Sequence, residues 1–283
     1  MLKVLITGAK GMLGRTLCQN LNDVEVIATD RAELDIANAE ETDEVIGAVA
    51  PDVVIHCAAM TAVDLCETEK DRAFQINAVG TANVAAACNR RHAKLIAIST
   101  DYVFDGQGSS PYTEYDIPTG GRSVYGQSKW AGEQAVRTLC PNHIIGRVAW
   151  LYGPGGPSFV HTMLKFADGS RPVVKVVDDQ RGNPTSTFAV CRALQGLLRH
   201  PEIVGTFHLT CEGETTWYGF AKHIFECMNI DQRIEPCTTD EFSRPAPRPK
   251  NSCLEKMNLR LYGLEPMPHW ADECRKFLTL KSL

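Results

Sequence analysis

The sequence lacks paired cysteines, although it contains eleven cysteines in 283 residues. No two of them are spaced as C-x-x-C, the arrangement typical of zinc ribbons and dithiol redox sites. Their number is odd, and several lie inside apolar runs such as VVIHCAA. We therefore expect buried free thiols in a reducing compartment, and no metal site.

Long apolar runs and an excess of positive charge are also absent. No run approaches the 18 or more residues of a membrane-spanning helix, and the formal net charge is −5. These absences argue against membrane insertion and against general electrostatic binding to nucleic acid. The N-terminal MLKVLITGAKG runs directly into a predicted strand and shows no secretory signal, so we expect a cytoplasmic protein.

The first half of the chain alternates short apolar runs with helical stretches. The strand-like runs are KVLIT, VEVIAT, DVVIHCA, KLIAIS and HIIGRV. Helices are predicted over 11–22, 40–49, 71–91 and 123–138. Continuous apolar strands separated by helices predict a parallel sheet covered on both faces, which is a Rossmann-like doubly wound α/β fold.

Three glycines lie where the first predicted strand turns into the first helix. The stretch VLITGAKGMLG places Gly8, Gly11 and Gly14 there. Glycine lets the backbone approach a pyrophosphate closely, and the N–H groups of the helix N-terminus attract its charge. A structural turn explains many isolated matches, but this one ends the first strand of a βαβ unit, so we predict dinucleotide binding.

Asp30 follows the second predicted strand, at the distance from the glycines where a carboxylate accepts hydrogen bonds from ribose hydroxyls. That placement favours NADH, whereas the adjoining Arg31 could pair with a 2′-phosphate, so NADPH and NADH both remain candidates. Asp35 and Ile36 come shortly afterwards and could border the adenine. A turn role for Asp30 and a helix-capping role for Asp35 are the alternatives.

The third and fourth predicted strands end in HCAAMTAVD and ISTDYVFDG. Ligands of doubly wound sheets bind outside the carboxyl ends of the strands. Ala58 and Ala59 are small enough there to let a cofactor lie against the backbone. Thr100 and Asp101 project from the next strand end, where a threonine hydroxyl can hydrogen-bond a substrate oxygen. A local side-chain turn is the alternative for both residues.

Two Tyr/Lys pairs have the four-residue spacing that places both side chains on one helix face. YGQSK contains Tyr125 and Lys129, after the Thr100 loop and beside the carboxyl edge of the sheet, whereas YGFAK contains Tyr218 and Lys222 in a later, apolar-striped helix. We predict acid–base chemistry for the first pair, with Lys129 lowering the pKa of Tyr125 and binding a ribose hydroxyl. The second pair is predicted to be a surface or packing feature.

The alternating pattern weakens after Tyr152, where Gly and Pro cluster in YGPGGPS and later in SRPAPRPKNS. Helices are predicted over 158–167, 187–199 and 217–228, with strand-like PVVKVVDD and GTFHLT between them. We predict a dinucleotide-binding domain over 1–152 that is completed by about 173–210. A smaller, mixed substrate-binding portion is predicted over 153–172 and 211–283.

The stretches TGAKGMLG, STDYVFDG and YGQSK together resemble an extended short-chain dehydrogenase/reductase. More narrowly, the chain is similar to the dTDP-4-dehydrorhamnose reductase family over nearly its full length. Supporting stretches are HCAAMTAVDLCE, INAVGTANVA, AWLYG, DDQRGNPT, GTFHLT and RPKNSCL. The resemblance implies NAD(P)H-dependent reduction of the nucleotide sugar dTDP-4-dehydro-L-rhamnose to dTDP-L-rhamnose for cell-surface polysaccharide, and it allows a homodimer.

The resemblance also implies roles for individual residues. Tyr125 would be the proton donor and Lys129 its partner, while Thr100 and Asp101 would approach the sugar. Trp150 would line the substrate site. The cofactor would be bordered by Gly11, Met12, Leu13, Asp30, Asp35, Ile36, Ala59, Met60 and Thr61.

Some positions depart from the family pattern or extend it. Val148 and Ala149 stand where Thr-Ser is frequent, and Ser123 stands where Asn is common, so the exact sugar is less fixed than the reaction type. Arg244 and Arg248 could bind a diphosphate through bidentate hydrogen bonds, or they could be solvated loop cations. The first helix offers no carboxylate at the positions that bridge a metal in family dimers.

Two other functions fit the same residues. The chain could be an epimerase or another ketoreductase of the superfamily, and an epimerase should retain its dinucleotide through purification. It could also be a non-catalytic regulatory subunit that keeps the fold, although the presence of Thr100, Tyr125 and Lys129 argues against lost activity.

Overall fold

The computed structural model describes residues 1–166 and 171–280 of the chain. Its strands are β1 Leu2–Thr7, β2 Val24–Thr29, β3 Val53–His56, β4 Lys94–Thr100, β5 His143–Val148, β6 Leu151–Tyr152, β7 Val174–Val177, β8 Arg181–Gly182, β9 Thr185–Ser186, β10 Gly205–His208, β11 Thr215–Thr216 and β12 Ile234–Cys237. Six of them form one parallel sheet in the order β2–β1–β3–β4–β5–β10. The predicted α/β fold with a parallel sheet is confirmed.

Helices cover both faces of this sheet. The α-helices of the described residues are α1 Met12–Asn20, α2 Ala39–Val49, α3 Val63–Thr68, α4 Lys70–Phe74, α5 Thr81–Arg90, α6 Val124–Leu139, α7 Phe159–Lys165, α8 Thr187–Leu198, α9 Trp217–Met228, α10 Met257–Leu261 and α11 Trp270–Leu278. A π-helical segment, Gln75–Gly80, joins α4 to α5. The single helix predicted over 71–91 is divided into α4, the π-helical segment and α5, whereas each other predicted helix falls on one element. The helix predicted over 158–167 corresponds to α7, and its last residue, Ala167, lies outside the described residues.

The strands are apolar without interruption because both faces of the sheet are buried. In β1, Val4 and Ile6 join the core beneath α1, α8 and the C-terminal helices, whereas Leu5 joins the core beneath α2, α5 and α6. Successive side chains of a strand point to opposite faces, so one continuous apolar run serves both cores.

The C-terminal part of the chain is more mixed. β10 extends the large sheet beside β5, whereas β7 pairs with β12 in a separate two-stranded sheet. β7 therefore lies outside the large sheet, and the return of the chain to the main domain over about 173–210 stays a prediction. The division into a dinucleotide-binding domain and a substrate-binding portion stays a prediction.

The order of the strands creates a crevice. From β1 the chain passes to β2 at one side and then returns to β3 at the other side of β1. Loops leaving the carboxyl ends of β1 and β3 diverge at this switch point, which is where ligands bind in open α/β sheets.

A buried ion pair fixes α6 to β5. Arg147 donates to Glu133 through Nε–Oε1 at 2.9 Å and Nη2–Oε2 at 2.8 Å, and Ser99 Oγ donates to the same carboxylate at 2.6 Å. The arginine and glutamate side chains are only 1% and 2% exposed. Removing one partner of such a pair costs about 3–5 kcal/mol, because the other charge is left buried alone. Helix α6 is thus held firmly on the sheet.

The eleven cysteines are free, and eight of them are buried; Cys18, Cys57 and Cys227 are half-buried. This agrees with the expectation of buried thiols. Among the residues that the structure describes, no helix combines the length and the apolar character needed to cross a membrane.

Candidate active site

Two adjoining cavities open at the carboxyl edge of the sheet, with volumes of about 370 and 660 Å³. They share Gly8, Gly11, Cys57 and Ala59, so they form one continuous cleft over the switch point. Each volume lies within the range of ordinary small-molecule sites.

The predicted site residues divide between the two cavities. The smaller cavity is lined by Gly8, Gly11, Met12, Leu13, Gly14, Ala59, Thr61, Thr100, Asp101, Tyr125, Lys129 and Trp150. The larger cavity is lined by Gly8, Gly11, Asp30, Asp35, Ile36, Ala58, Ala59 and Met60. The fold therefore brings these residues together, while their individual roles stay predictions. Sequence reasoning did not single out Cys57 or Tyr102, which also line the smaller cavity.

The turn between β1 and α1 requires glycine. Gly8 has φ +67°, and a Cβ there would lie 2.7 Å from the Cα of Ala58. A Cβ on Gly14 would lie 2.3 Å from the carbonyl oxygen of Gly8. These close approaches leave a side-chain-free backbone next to the N-terminus of α1, where the N–H groups of the first turn attract anions. The residues present thus fit the pyrophosphate of a dinucleotide.

Asp30 stabilises this turn through hydrogen bonds to the backbone. Its Oδ2 accepts from the backbone N–H of Lys10 at 2.8 Å, and its Oδ1 accepts from that of Arg31 at 2.8 Å. Asp30 therefore has the turn role that was the alternative to ribose binding. The two roles are compatible, because each carboxylate oxygen retains a lone pair that can accept from a ribose hydroxyl. Asp35 makes its own local turn, whereas Asn38 caps α2. The alternative in which Asp35 is the helix cap is wrong, because the helix begins three residues later than that role requires.

Tyr125 and Lys129 lie one turn apart on α6; Lys129 is buried, whereas Tyr125 is half-buried. Burial raises the pKa of Tyr125 above its ordinary value, and the neighbouring Thr100 hydroxyl acts in the opposite direction. The expectation that Lys129 gives Tyr125 a lowered pKa is wrong here, because burial dominates. Burial lowers the pKa of Lys129 to about 8, while the Glu133 carboxylate raises it. The Lys129 ammonium donates to the carbonyl oxygen of Ile98 at 2.8 Å.

Asp101 presents a carboxyl oxygen without a partner among the described residues. Its Oδ1 accepts from Thr100 Oγ1 at 2.9 Å, whereas Oδ2 is buried and unsatisfied. Burial raises the pKa of this carboxyl to about 7. Thr100 also accepts from the N–H of Tyr102, so the predicted local turn exists beside the cavity. Asp101 lines the smaller cavity, and because this oxygen has less than 1 Å² of exposed surface, its carboxyl group must turn to meet a ligand hydroxyl.

Trp150 has a left-handed backbone, φ +46°, which a bulky residue rarely adopts. Its indole stacks on that of Trp217, with ring centroids 3.5 Å apart and planes at 5°. Sequence reasoning assigned Trp217 to the apolar stripe of α9 and missed this contact. The sequence carried no local signal for it, because the two tryptophans belong to distant segments.

Arg248 forms an ion pair with a carboxylate of α3, and its predicted role in substrate binding stays a prediction. Its Nη1 pairs with Oδ1 of Asp64 on α3 at 3.0 Å, and Arg244 approaches the same carboxylate at 3.9 Å. Neither arginine is among the lining residues of the two cavities. The ion pairs and hydrogen bonds that both arginines form with described residues use Nη1, and a guanidinium has five N–H donors, so a diphosphate role is compatible with this ion pair.

The second Tyr/Lys pair lies on α9, away from the cleft lining. Lys222 is 62% exposed, and its ammonium is 3.9 Å from Glu226 one turn later on the same helix. This is the solvated surface position predicted from the sequence. Exposed pairs of this kind contribute little to stability.

The family model described as the RmlD substrate binding domain matches residues 2–282. The chain belongs to this family. A dTDP-4-dehydrorhamnose reductase of Streptomyces griseus is 42% identical, over 94% of this chain and 90% of the relative. A dTDP-4-keto-6-deoxy-D-glucose reductase of Streptomyces niveus is 38% identical, over 94% and 93%. The predicted resemblance is thereby confirmed.

A solved structure supports the same relationship. The dTDP-4-dehydrorhamnose reductase of Bacillus anthracis, determined in complex with NADP, superposes with a TM-score of 0.95 at 40% identity. The match covers 98% of this chain and 99% of that one. The described parts of the chain, including the C-terminal portion, therefore share the family fold.

Gly8→Ala should both destabilise the protein and abolish dinucleotide binding. The new Cβ meets Ala58 backbone, and φ is positive, so we expect a loss of about 2 kcal/mol or more in the free energy of unfolding. Gly196→Ala is the matched control, because Gly196 lies within α8 with no atom in the way, and should gain about 0.4–1 kcal/mol. Urea unfolding and NADPH fluorescence titration measure the two effects. Normal NADPH affinity in Gly8→Ala would contradict the placement of the cofactor.

Proposed function

We propose that the protein reduces the C4 keto group of dTDP-4-dehydro-L-rhamnose to give dTDP-L-rhamnose, with NADPH or NADH as hydride donor. The observation that carries this proposal is the arrangement of Tyr125, Lys129 and Thr100 around one cavity that adjoins the glycine turn. An acid, a cation and a hydroxyl beside a dinucleotide site are the groups that carbonyl reduction needs.

The cofactor would lie along the larger cavity and supply the hydride. The N-terminus of α1 would hold its pyrophosphate, and Asp30 would accept from its adenosine ribose. Lys129 has three N–H donors, of which the Ile98 carbonyl uses one, so the others are available to a ribose hydroxyl. Lys10 and Arg31 border the Asp30 end of the cavity and offer positive charge to a 2′-phosphate. This supports NADPH as well as NADH, in agreement with the NADP found in the Bacillus anthracis relative.

Tyr125 would supply the proton to the sugar oxygen. Its raised pKa keeps the phenol protonated at neutral pH, which a proton donor requires. Developing negative charge on the phenol oxygen would be stabilised by the Lys129 ammonium one helical turn away. The Thr100 hydroxyl would add to this when its proton turns from Asp101 Oδ1 towards the phenol. The unpaired oxygen of Asp101 would accept from a sugar hydroxyl and so orient the ring.

The proposal also specifies which 4-keto sugar the protein reduces. Val148 and Ala149 give the smaller cavity a small apolar lining, which suits a deoxygenated sugar. The Streptomyces niveus relative, named for a different 4-keto sugar, makes dTDP-4-keto-6-deoxy-D-glucose the second candidate substrate.

The reaction is tested by mixing the protein with dTDP-4-dehydro-L-rhamnose and following NADPH and NADH absorbance. We expect oxidation of the cofactor and formation of dTDP-L-rhamnose, while dTDP-4-keto-6-deoxy-D-glucose serves as the competing substrate. An absence of oxidation with both cofactors would exclude this substrate. A dinucleotide that co-purifies and does not exchange would instead indicate an epimerase.

Tyr125→Phe should lower kcat by about 100-fold or more, because it removes the general acid while preserving the ring. Tyr218→Phe is the matched control, since it makes the same chemical change in the second Tyr/Lys pair, and it should leave kcat almost unchanged. Steady-state kinetics with saturating cofactor compare the two. A similar loss in both variants would mean that the wrong pair has been assigned.

The value of kcat/KM for NADPH should fall as the pH rises above about 8, because Lys129 loses its proton there in the free enzyme. Below that pH the ammonium form of Lys129 predominates, so kcat/KM should become independent of pH. Asp101 titrates nearby, with a pKa of about 7, so Asp101→Asn serves to separate the two groups. The alkaline fall should persist in Asp101→Asn; its disappearance would assign the effect to the carboxyl instead.

A further inference from the structure

Two tryptophans from distant parts of the chain form a stacked pair beside the smaller cavity. Trp150 lies between β5 and β6 and lines the cavity, whereas Trp217 begins α9 and is not among the lining residues. Their indole planes differ by 5° at a centroid separation of 3.5 Å. Trp217 can therefore influence a ligand through Trp150, without touching it.

Trp150 depends on outside contacts for its position. Its backbone is left-handed, which local sterics disfavour for a tryptophan, so the surrounding structure must hold it there. The indole Nε1 donates to Ser252 Oγ at 3.0 Å. A Cβ on Gly182 would lie 2.3 Å from the indole, so the neighbouring backbone also packs tightly against the ring.

Trp217 is itself anchored in the C-terminal portion. Its Nε1 donates to Gln180 Oε1 at 3.1 Å, and the ring of Phe159 lies 4.6 Å away. The side chain thus has a fixed orientation before any ligand arrives. Because the two indoles are stacked, Trp217 also holds the indole of Trp150 in one orientation at the wall of the cavity.

We propose that Trp217 is a positioning residue for the nucleotide-sugar site, which holds Trp150 so that its indole forms a rigid wall against the sugar. This inference rests on the proposed function. An aromatic face offers dispersion and electrostatic attraction to the C–H groups of a sugar, and a preset ring avoids the entropic cost of ordering it on binding. Trp217 thereby contributes to sugar affinity, whereas hydride and proton transfer depend on other residues.

Trp217→Leu should raise both the Kd for dTDP-L-rhamnose and the KM for the keto sugar by about fivefold to tenfold. This factor corresponds to the free energy that one aromatic pair contributes. The value of kcat and the affinity for NADPH should stay unchanged. Trp217→Phe keeps an aromatic face and should restore most of the affinity. Calorimetric titration with dTDP-L-rhamnose and with NADPH gives the two affinities separately.

Trp270→Phe is the control for general loss of packing. Trp270 is a buried indole of the same portion, packed on Phe220 and His223. This variant should lose thermal stability while keeping the wild-type affinity for dTDP-L-rhamnose. A loss of affinity equal to that of Trp217→Leu would mean that both effects are structural, and would overturn the proposal.

The titrations and the kinetics together separate the positioning role from the proposed reaction. Unchanged dTDP-L-rhamnose affinity in Trp217→Leu would overturn the positioning role alone. If the sugar nucleotide binds in a Trp217-dependent manner but no cofactor is oxidised, the proposed reaction fails and the positioning role stands. If wild-type protein does not bind dTDP-L-rhamnose, both fail.

Discussion

The buried pair between Glu133 and Arg147 is the interaction on which the site most depends. It joins α6 to β5 inside the protein, with Ser99 at the end of β4 completing the carboxylate's hydrogen bonds. Such a pair tolerates little displacement, because both charges require close partners once water is excluded. The helix that carries Tyr125 and Lys129 is consequently fixed in rotation as well as in distance from the sheet.

The same carboxylate also sets the charge of the cleft. Lys129 lies one turn before Glu133, and the carboxylate opposes the loss of the lysine proton that burial promotes. A shift of either helix or strand would change this balance and the position of the ammonium together. Structural stability and the electrostatics of the site therefore have a common origin in one ion pair.

Much of the fold could be predicted because it leaves a periodic trace in the sequence. The two-sided burial of β1 appears as an uninterrupted apolar run, and the stripe of α9 placed that helix at 217–228, where it occurs. The strand–turn–helix context similarly indicated Gly8 and Gly14 as backbone positions for a ligand. These are local constraints, so local sequence can express them.

Contacts between distant segments left no such trace. The ion pair of Arg248 with Asp64, the pairing of β7 with β12 and the stack of Trp150 on Trp217 each join regions far apart in the chain. Strands of two to four residues are too short to show a period. The direction in which the pKa of Tyr125 shifts was predicted wrongly for a related reason. The spacing of two residues indicates a neighbouring cation, whereas the extent of burial depends on the complete fold.

The cysteines have a further consequence. Burial raises the pKa of Cys57 and of Cys211 to about 12, so at neutral pH almost none of either thiol is ionised and electrophiles react slowly. Eight buried thiols extend from Cys66 on α3 to Cys274 on α11. Each can react only when its own segment opens. The rate at which each buried cysteine reacts with a thiol reagent therefore measures how often its own region of the chain opens.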